Sequence, residues 1–537
     1  MPIMKKPIPP SKYLKNHHHN QQKRDGSSFK GGLYNDQGSQ YLITVGVGTP
    51  PQEFLVTFDT GSADLWIPSS DCDTNSCPFG GFDSSQSSTF TKSDEAFSIQ
   101  YGIGAVNGTY VKDTVTISGA SVQNQQLGLA YETKDILIPS PTQEGQPPSN
   151  MNANGILGLG YPLLTAGANN NDNIYTPFVF NLIQQNIIQE PLFSVYLNQA
   201  SKNGWVGEVI FGGIDSSKFT GDLVYVPVAK LEAPSSTKEE DNGSSSNNNK
   251  KAMKQMFSGV QKEEGDNHDD MKIIDAALSD DFLQRIRHNR YTNKNMNIPP
   301  YKSTDASSST NYDGYYYWMV YGYGISINNA IQSLHFKLRR AGGAFILDTG
   351  TTLTYLPNDV AISIAKSIAG SQGQGRIMMD RQSGLLLVDC GLAQSKATLS
   401  LQMATDPSMS GPPVNFTIKS SELVIPIDTE SVTTATQCLF GIAPVGNTSG
   451  GGLGHNLFLI GDSMLRSAYL VFDFGRHRVG IAAAKGMGSS VHGENATSYP
   501  MNDPNNAWSV SMSSTAPFLE IYVSLLILVS TCLIQLY

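Results

Sequence analysis

The chain has 537 residues, more than one ordinary hydrophobic core supports, so we expect two lobes together with additional segments. Only 15% of the residues are charged, and the many glycines and tyrosines (51 and 23) favour an all-β protein with tight turns over a helical one. The formal net charge of −10 argues against a nucleic-acid partner and is compatible with a protein that works in acid.

The first 24 residues are basic and contain no acidic residue. They end in the dibasic pair Lys23-Arg24 and contain no apolar run that could serve as a signal peptide. We expect residues 1–24 to be the remnant of a propeptide that covers an acidic cleft until it is cut after Arg24. A solvated, unstructured tail is the alternative.

From Gln40 onward the chain consists of short β-branched and aromatic runs broken by Gly, Pro, Asn and Asp. Several of these runs, such as EFLVTFDTG and TYVKDTVTI, alternate with a period of two. Such short, evenly spaced strands predict a β-rich barrel or sandwich architecture.

Five cysteines form two pairs and one remainder. Cys72 and Cys77 are close together, Cys390 and Cys438 lie in the second half, and Cys532 lies in an apolar tail. No second close pair and no histidine partner accompanies Cys72 and Cys77, so the spacing predicts no zinc or other metal site. One local disulfide in each half is favoured and implies an oxidising compartment, with reduced buried thiols as the alternative.

Five Asn-x-Ser/Thr triplets are candidate glycosylation sites and agree with secretion. They begin at Asn107, Asn242, Asn415, Asn447 and Asn495. A single triplet is weak support, because such triplets also arise by chance.

Residues 230–311 interrupt the strand pattern. They are polar and of low complexity at both ends, which indicates a disordered insertion. The middle of the segment, residues 271–287, is compatible with one short amphipathic helix. Lys250-Lys251 and the stretch from Arg285 to Arg290 offer exposed basic cleavage sites.

The C-terminal segment is built differently from the rest. Residues 486–511 form a Ser/Asn-rich stalk, and residues 512–537 contain an apolar run that no basic residue follows. This order predicts a GPI-attachment signal, with a single-pass or tail-anchored helix as the alternative. Because a GPI signal requires entry into the secretory pathway, we expect the true N-terminus to lie upstream of Met1.

A repeated motif carries the chemistry. FLVTFDTGSADLW contains Asp59-Thr-Gly61-Ser62, and AFILDTGTTLTYLP contains Asp348-Thr-Gly350-Thr351. One such motif arises often by chance, whereas two copies in equivalent settings, one per half, indicate a pseudo-twofold pair of lobes. Two exposed turn aspartates are the alternative, but turn aspartates rarely follow runs as apolar as FLVTF and AFIL.

Two facing carboxylates suit hydrolysis of a peptide bond without a metal or a covalent intermediate. Because two like charges so close cannot both ionise, one carboxyl keeps its proton while the other acts as base on a water molecule. The amides of Gly61 and Gly350 can donate to the carboxylates, and the hydroxyls of Ser62 and Thr351 can hold the outer carboxylate oxygens.

The chain resembles the pepsin-like aspartic proteases over nearly all of residues 38–485. Residues 98–102 look like the flap hairpin of that family, so Tyr101 and Gly102 would close over the substrate with the Tyr101 hydroxyl near Trp66. Residues 154–160 and 458–462 look like the segments that support each catalytic loop. The two cysteine pairs, Cys72–Cys77 and Cys390–Cys438, fall where the family places disulfides.

The resemblance implies an all-β, bilobal pepsin-like fold, in which two pseudo-twofold-related, β-barrel-like lobes flank the active-site cleft. We expect an N-terminal lobe at 25–195 and a C-terminal lobe at 196–485. The resemblance further implies a monomeric aspartic endopeptidase that binds extended polypeptide substrates, works at acidic pH and needs no cofactor.

The tail resembles that of the GPI-anchored, yapsin-like fungal subgroup, in which some members cut after basic residues. The insertion is unusual for the family, and its excision would give two non-covalently held chains. The residues before Lys23-Arg24 are shorter than the propeptides of relatives. The rival functions are a catalytically silent surface-binding protein of the same fold and a cell-wall structural glycoprotein. The intact motifs and flap tyrosine argue against the first, and the second leaves the duplicated aspartates unexplained.

Overall fold

The fold is known from a computed structural model. It describes residues 28–36, 38–101, 104–137, 151–169, 174–230, 272–274, 314–328, 333–337, 343–370, 377–381, 383–429, 431–445 and 457–493. No helix within these ranges is long and apolar enough to cross a membrane. The predicted propeptide and apolar tail lie outside the described residues, as do the insertion residues other than Lys230 and 272–274.

Strands dominate both halves, which confirms the all-β prediction. The strands before the insertion are β1 Phe29–Asp36, β2 Gln40–Val47, β3 Gln52–Asp59, β4 Leu65–Pro68, β5 Thr91–Tyr101, β6 Gly104–Ile117, β7 Ala120–Lys134, β8 Ile156–Gly158, β9 Leu192–Tyr196, β10 Gly204–Phe211 and β11 Phe219–Pro227. The later strands are β12 Lys272–Ile274, β13 Met319–Asn328, β14 Ser333–Lys337, β15 Ala344–Leu347, β16 Thr354–Leu356, β17 Ile377–Asp380, β18 Leu386–Val388, β19 Thr398–Met403, β20 Val414–Lys419, β21 Val424–Pro426, β22 Cys438–Phe440, β23 Ile442–Pro444, β24 Leu457–Ile460, β25 Ala468–Asp473, β26 Arg478–Ala484 and β27 Ser490–His492.

The α-helices are short except for one. They are α1 Ala166–Asn169, α2 Phe178–Gln184, α3 Asn358–Ala369 and α4 Asp462–Leu465. Helix α3 begins after Pro357 and ends at Gly370, whose φ of 78° suits glycine at a helix C-terminus. It lies against the body because its apolar residues recur on one face, with Ala361, Ile362, Ile364, Ala365 and Ile368 buried.

One large sheet joins the two halves of the chain. Its strand order is β11-β26-β25-β9-β10-β1-β2-β3-β8-β4-β7-β6-β5. Strand β9 pairs with β10 on one side and with β25 on the other. The boundary predicted between residues 195 and 196 therefore falls inside a strand that is hydrogen-bonded to both halves.

Two further sheets belong to the second half. One has the order β12-β17-β18-β22-β21, and the other has the order β23-β16-β24-β15-β13-β19-β20-β27, with β14 paired to β13. Strand β12 pairs in parallel with β17, so residues 272–274 are strand, within the stretch 271–287 whose sequence is compatible with a short amphipathic helix. Strand β27 pairs with β20, which places residues 490–492, assigned from the sequence to the stalk, within a sheet.

The core contains aromatic residues from distant parts of the chain. Phe193 stacks on Phe472 with ring centroids 4.8 Å apart, and Trp318 meets Phe472 edge to face at 5.0 Å. The Trp318 indole N–H also donates to the carbonyl of Leu159 at 2.9 Å. The Trp318–Leu159 hydrogen bond holds the start of β13 against residues 154–160, the segment beside the first repeat.

Both predicted disulfides are present. Cys72 is bonded to Cys77 and Cys390 to Cys438, with sequence separations of 5 and 48. Each bridge lies on one side of the insertion, so neither covalently joins the two halves. Cys532 lies outside the described residues.

Candidate active site

The two repeats end two equivalent strands. β3 runs to Asp59 and pairs in parallel with β8, and β15 runs to Leu347 and pairs in parallel with β24. The amide of Leu159 donates to the carbonyl of Asp59 at 2.8 Å, and the amide of Asp348 donates to the carbonyl of Ile460 at 2.9 Å. The segments predicted to support the catalytic loops, 154–160 and 458–462, therefore lie beside them.

The second residue of each repeat joins the two loops. The hydroxyl of Thr60 donates to the carbonyl of Leu347 at 2.8 Å, and the hydroxyl of Thr349 donates to the carbonyl of Phe58 at 2.9 Å. These roles were not identified from the sequence. The only hint in the sequence is that both copies have threonine at the same position.

Each aspartate accepts hydrogen bonds from the glycine and hydroxyl residue that follow it. The Gly61 amide donates to Asp59 Oδ1 at 2.8 Å, and the Ser62 hydroxyl donates to Oδ2 at 2.5 Å. In the second copy, the Gly350 amide and the Thr351 hydroxyl donate to Oδ1 and Oδ2 of Asp348 at 2.8 and 2.6 Å. The two donor sets match atom for atom, so both carboxylates are held in equivalent orientations.

The two glycines let each loop approach the opposite carboxylate. A β-carbon placed on Gly61 would lie 2.5 Å from Cγ of Asp348, and one placed on Gly350 would lie 2.5 Å from Cγ of Asp59. Both distances are far shorter than a van der Waals contact. Any larger residue at either position would displace a carboxylate.

Burial and mutual repulsion shift the titration of the pair. Burial raises the pKa of the Asp59 carboxyl above its usual value, against the lowering effect of its hydrogen-bond donors. Burial raises the pKa of Asp348 well above its usual value, and the neighbouring charge of Asp59 adds to this rise. The pair therefore holds one proton under conditions in which an exposed aspartate has lost it.

Tyr101 ends the first strand of the β5–β6 hairpin, opposite Gly104. Its hydroxyl accepts a hydrogen bond from the indole N–H of Trp66 at 2.9 Å, so the two side chains lie together as the family resemblance implies. Gly102 lies outside the described residues. Burial raises the pKa of Tyr101 well above its usual value, and the charges of Asp64 and Asp59 contribute, so the hydroxyl stays protonated.

Two further residues near the aspartates were not identified as site residues from the sequence. Tyr317 is half-buried, and burial together with the charges of Asp348 and Asp59 raises its pKa. The Asp462 carboxyl is fully buried, and neither of its oxygens has a hydrogen-bond partner among the described residues. Burial raises the pKa of Asp462 well above its usual value, although Arg466 opposes the rise.

The candidate glycosylation sites are only partly described. Asn107 is exposed on β6, where its side chain accepts from the Ser98 hydroxyl at 2.8 Å and donates to Glu132 at 3.1 Å. Asn415 on β20 is half-buried. The remaining candidates lie outside the described residues; they are Asn242, Asn447 and Asn495.

Comparison with known proteins agrees with this geometry. A family model described as eukaryotic aspartyl protease matches residues 40–260 and 300–484. The chain is 28% identical over 460 residues to mucorpepsin of Rhizomucor pusillus, and the aligned region covers 85% of this chain and 82% of the relative. It is 28% identical over 453 residues to pepsin A of Suncus murinus, covering 84% and 82% of the two chains. It is 41% identical over 205 residues to cathepsin E of Mus musculus, covering 38% and 48%. The chain therefore belongs to the eukaryotic aspartyl protease family, a family of aspartic-type endopeptidases.

Proposed function

We propose that this chain hydrolyses peptide bonds of extended polypeptides, at acidic pH, with one water molecule activated between Asp59 and Asp348. The observation that carries the proposal is the matched pair of buried carboxylates, each fixed by a glycine amide and a hydroxyl. Acidic pH follows because the reaction needs one carboxyl protonated and the other ionised.

In the proposed reaction, the ionised carboxylate removes a proton from the water molecule while the water oxygen attacks the carbonyl carbon of the scissile bond. The protonated carboxyl gives its proton to the carbonyl oxygen, and a tetrahedral diol forms. The diol then collapses: one of its hydroxyl protons returns to the ionised carboxylate, the carbon–nitrogen bond breaks, and the leaving nitrogen receives the proton held by the other carboxyl, so that the pair again holds one proton. We assign no fixed acid or base, because the proton belongs to the pair.

The remaining proposed site residues orient the carboxylates and the substrate. Ser62 and Thr351 hold the outer carboxylate oxygens, and Gly61 and Gly350 leave room for the opposite carboxylate. Tyr101 and Gly102 of the flap cover the bound chain, and Trp66 holds the Tyr101 hydroxyl. We propose that the substrate lies beneath the flap as an extended strand, the conformation in which its backbone groups are free to pair.

The test is hydrolysis of denatured haemoglobin or casein from pH 2 to 7 by the chain made in a secretory host. Pepstatin, a peptide inhibitor of aspartic proteases, and the variant Asp348→Asn run alongside. Acid activity that both abolish supports the proposal. A folded protein that shows no activity after residues 1–24 are removed would instead support the rival function, a catalytically silent surface-binding protein.

We propose that the insertion at 230–311 is excised to leave two non-covalently held chains. Support comes from the ends of the insertion, which lie together: Val228 bridges Val320, the Ala229 amide donates to Met319 at 2.6 Å, and the Lys230 ammonium lies 4.8 Å from the Tyr315 ring. The family match also leaves residues 261–299 uncovered. Two bands on a denaturing gel that co-elute in gel filtration would support excision. A single full-length band in the active enzyme would contradict it.

We propose a cell-surface location through the apolar tail, residues 512–537, and glycosylation at the five Asn-x-Ser/Thr sites. The composition of the tail supports assignment to the GPI-anchored, yapsin-like subgroup. Release of the protein from cells by phosphatidylinositol-specific phospholipase C tests the anchor. Resistance to this enzyme, with extraction by detergent alone, would indicate a membrane-spanning tail instead.

A further inference from the structure

Asp64 is a buried carboxylate that the proposed reaction does not use. It lies two residues beyond the loop Asp59–Ser62, and its residue surface is 2% exposed. The hydroxyls of Tyr110 and Tyr175 donate to its Oδ1 at 2.8 and 2.9 Å, and the amide of Ala166 donates to its Oδ2 at 2.9 Å. In all three contacts Asp64 is the acceptor. Burial raises the pKa of the Asp64 carboxyl above its usual value, against the lowering effect of these three hydrogen bonds.

The partners of Asp64 belong to different parts of the first half. Tyr110 lies on β6 of the flap hairpin, Ala166 begins α1, and Tyr175 precedes α2. The carbonyl of Asp64 also accepts from the amide of Gly158 at 2.9 Å, at the end of the strand that supports the first catalytic loop. One residue thus links the catalytic loop to the hairpin that carries Tyr101.

Aromatic contacts extend this link along the β5–β6 hairpin toward Tyr101. Tyr110 meets Phe97 of β5 edge to face at 5.2 Å and Tyr175 edge to face at 5.4 Å. Trp66, two residues after Asp64, donates to the Tyr101 hydroxyl. Burial and the charge of Asp64 both raise the pKa values of Tyr110 and Tyr175, so these hydroxyls remain donors.

We propose that Asp64 is a positioning residue for the peptide hydrolysis proposed above. Its three hydrogen bonds fix the base of the flap hairpin relative to the catalytic loop, so that Tyr101 closes at one defined place over the scissile bond. A shift of the flap by a fraction of an ångström weakens contacts that matter most in the transition state. The effect of losing Asp64 should therefore fall mainly on kcat.

The test compares Asp64→Asn with Asp113→Asn. The side-chain amide introduced by Asp64→Asn would keep the shape of the carboxylate but turn an N–H group toward one of the existing donors. Asp113 is the matched control, because it is also buried and accepts from the hydroxyls of Ser87 and Thr89 and the amide of Thr114. It lies on β6 nine positions beyond Gly104, the residue that pairs with Tyr101. We expect Asp64→Asn to lower kcat/KM for a fluorogenic octapeptide about ten-fold with little change in KM, and Asp113→Asn to stay within about two-fold of the parent.

Pepstatin affinity is measured on the same proteins, since it reports flap position even in a chain without hydrolytic activity. We expect its Kd to rise about ten-fold in Asp64→Asn only. A folded Asp64→Asn protein with parental kcat/KM and parental pepstatin affinity would overturn the proposal.

If Asp64→Asn does not fold, Tyr110→Phe and Tyr175→Phe each remove one hydroxyl donor and keep the ring. We expect each to lower pepstatin affinity about three-fold, and two unchanged variants would overturn the proposal equally. Activity that survives Asp348→Asn would contradict the proposed reaction instead, a result separate from the pepstatin measurement.

Discussion

Thr60 and Thr349 bind each other's loop through a closed set of four hydrogen bonds. Besides the two hydroxyl donations to Leu347 and Phe58, the Thr60 amide donates to the Thr349 hydroxyl at 3.2 Å and the Thr349 amide to the Thr60 hydroxyl at 3.0 Å. Both residues are fully buried, and each directly follows one of the two aspartates proposed to be catalytic. The positions of the two carboxylates therefore depend on one symmetric contact between the halves.

Thr349→Ala should destabilise the protein and lower its activity. The change leaves the Phe58 carbonyl without its donor and the Thr60 amide without its acceptor, which costs about 2 kcal/mol of unfolding free energy or more. Calorimetry and peptide kinetics measure the two effects. Thr349→Ser is the matched control, because it keeps the hydroxyl and should remain near the parent. Equal behaviour of the two variants would contradict the role given to the hydroxyl.

Gly350→Ala should abolish most activity while the protein stays folded. The added methyl group would lie 2.5 Å from Cγ of Asp59 and would push that carboxylate out of alignment. Misplacement of about 1 Å lowers rates about 100-fold. Gly32→Ala is the control, since its nearest neighbour is a Trp205 ring carbon at 3.2 Å, away from the aspartates. Activity of Gly350→Ala within about ten-fold of the parent would contradict this account.

Trp66→Phe should lower kcat/KM about three- to ten-fold, the effect of one lost hydrogen bond. Phenylalanine keeps an aromatic ring in the pocket but cannot donate to the Tyr101 hydroxyl. Trp205→Phe is the control, because Trp205 lies on β10 and packs against Tyr34, with ring centroids 5.5 Å apart, rather than against Tyr101. Equal losses in the two variants would show that the Trp66–Tyr101 bond has no special role.

The catalytic pair should make the protein more stable in acid. A carboxyl whose pKa is higher in the folded than in the unfolded chain stabilises the fold below the unfolded pKa of about 4, and this contribution is lost as the pH rises through the folded pKa. The pKa of Asp348 is raised in this way. We expect Tm to fall as the pH rises above about 4, and to fall less in the neutral variant Asp348→Asn.

The control for the pH experiment is Asp83, whose pKa is shifted in the opposite direction from that of Asp348. Hydrogen bonds from Ser85 and Gln86 lower the pKa of Asp83, so its contribution is present above the unfolded pKa and lost as the pH falls. Asp83→Asn should therefore not flatten the decline of Tm toward neutral pH. Identical Tm profiles for the parent and Asp348→Asn at constant ionic strength would contradict the raised pKa of the pair.

Local features of the sequence predicted the β-rich fold correctly but failed for short segments that pair with the edge of a sheet. Residues 271–287 have a helix-like apolar pattern, yet Lys272–Ile274 pairs with β17 as a strand. A short isolated helix is marginally stable, because its first turn fixes many dihedral angles for one hydrogen bond. The open backbone of β17 offers partners that this local pattern does not reveal. The edge of a sheet also explains Ser490–His492. These residues have the composition of a stalk, but they pair with the backbone of β20.

The proposed chemistry could be inferred from the sequence, because each aspartate motif is contiguous: the aspartate, its glycine donor and its hydroxyl donor lie within four residues of one another. The duplication of that motif was enough to indicate two loops and a shared proton. How the two loops are held together is evident only in the folded protein. Thr60 and Thr349 are 289 positions apart, and Asp64 meets Tyr175 across 111 positions. Such contacts depend on the packing of buried donors and acceptors brought together by different strands, and no local pattern in the chain encodes them.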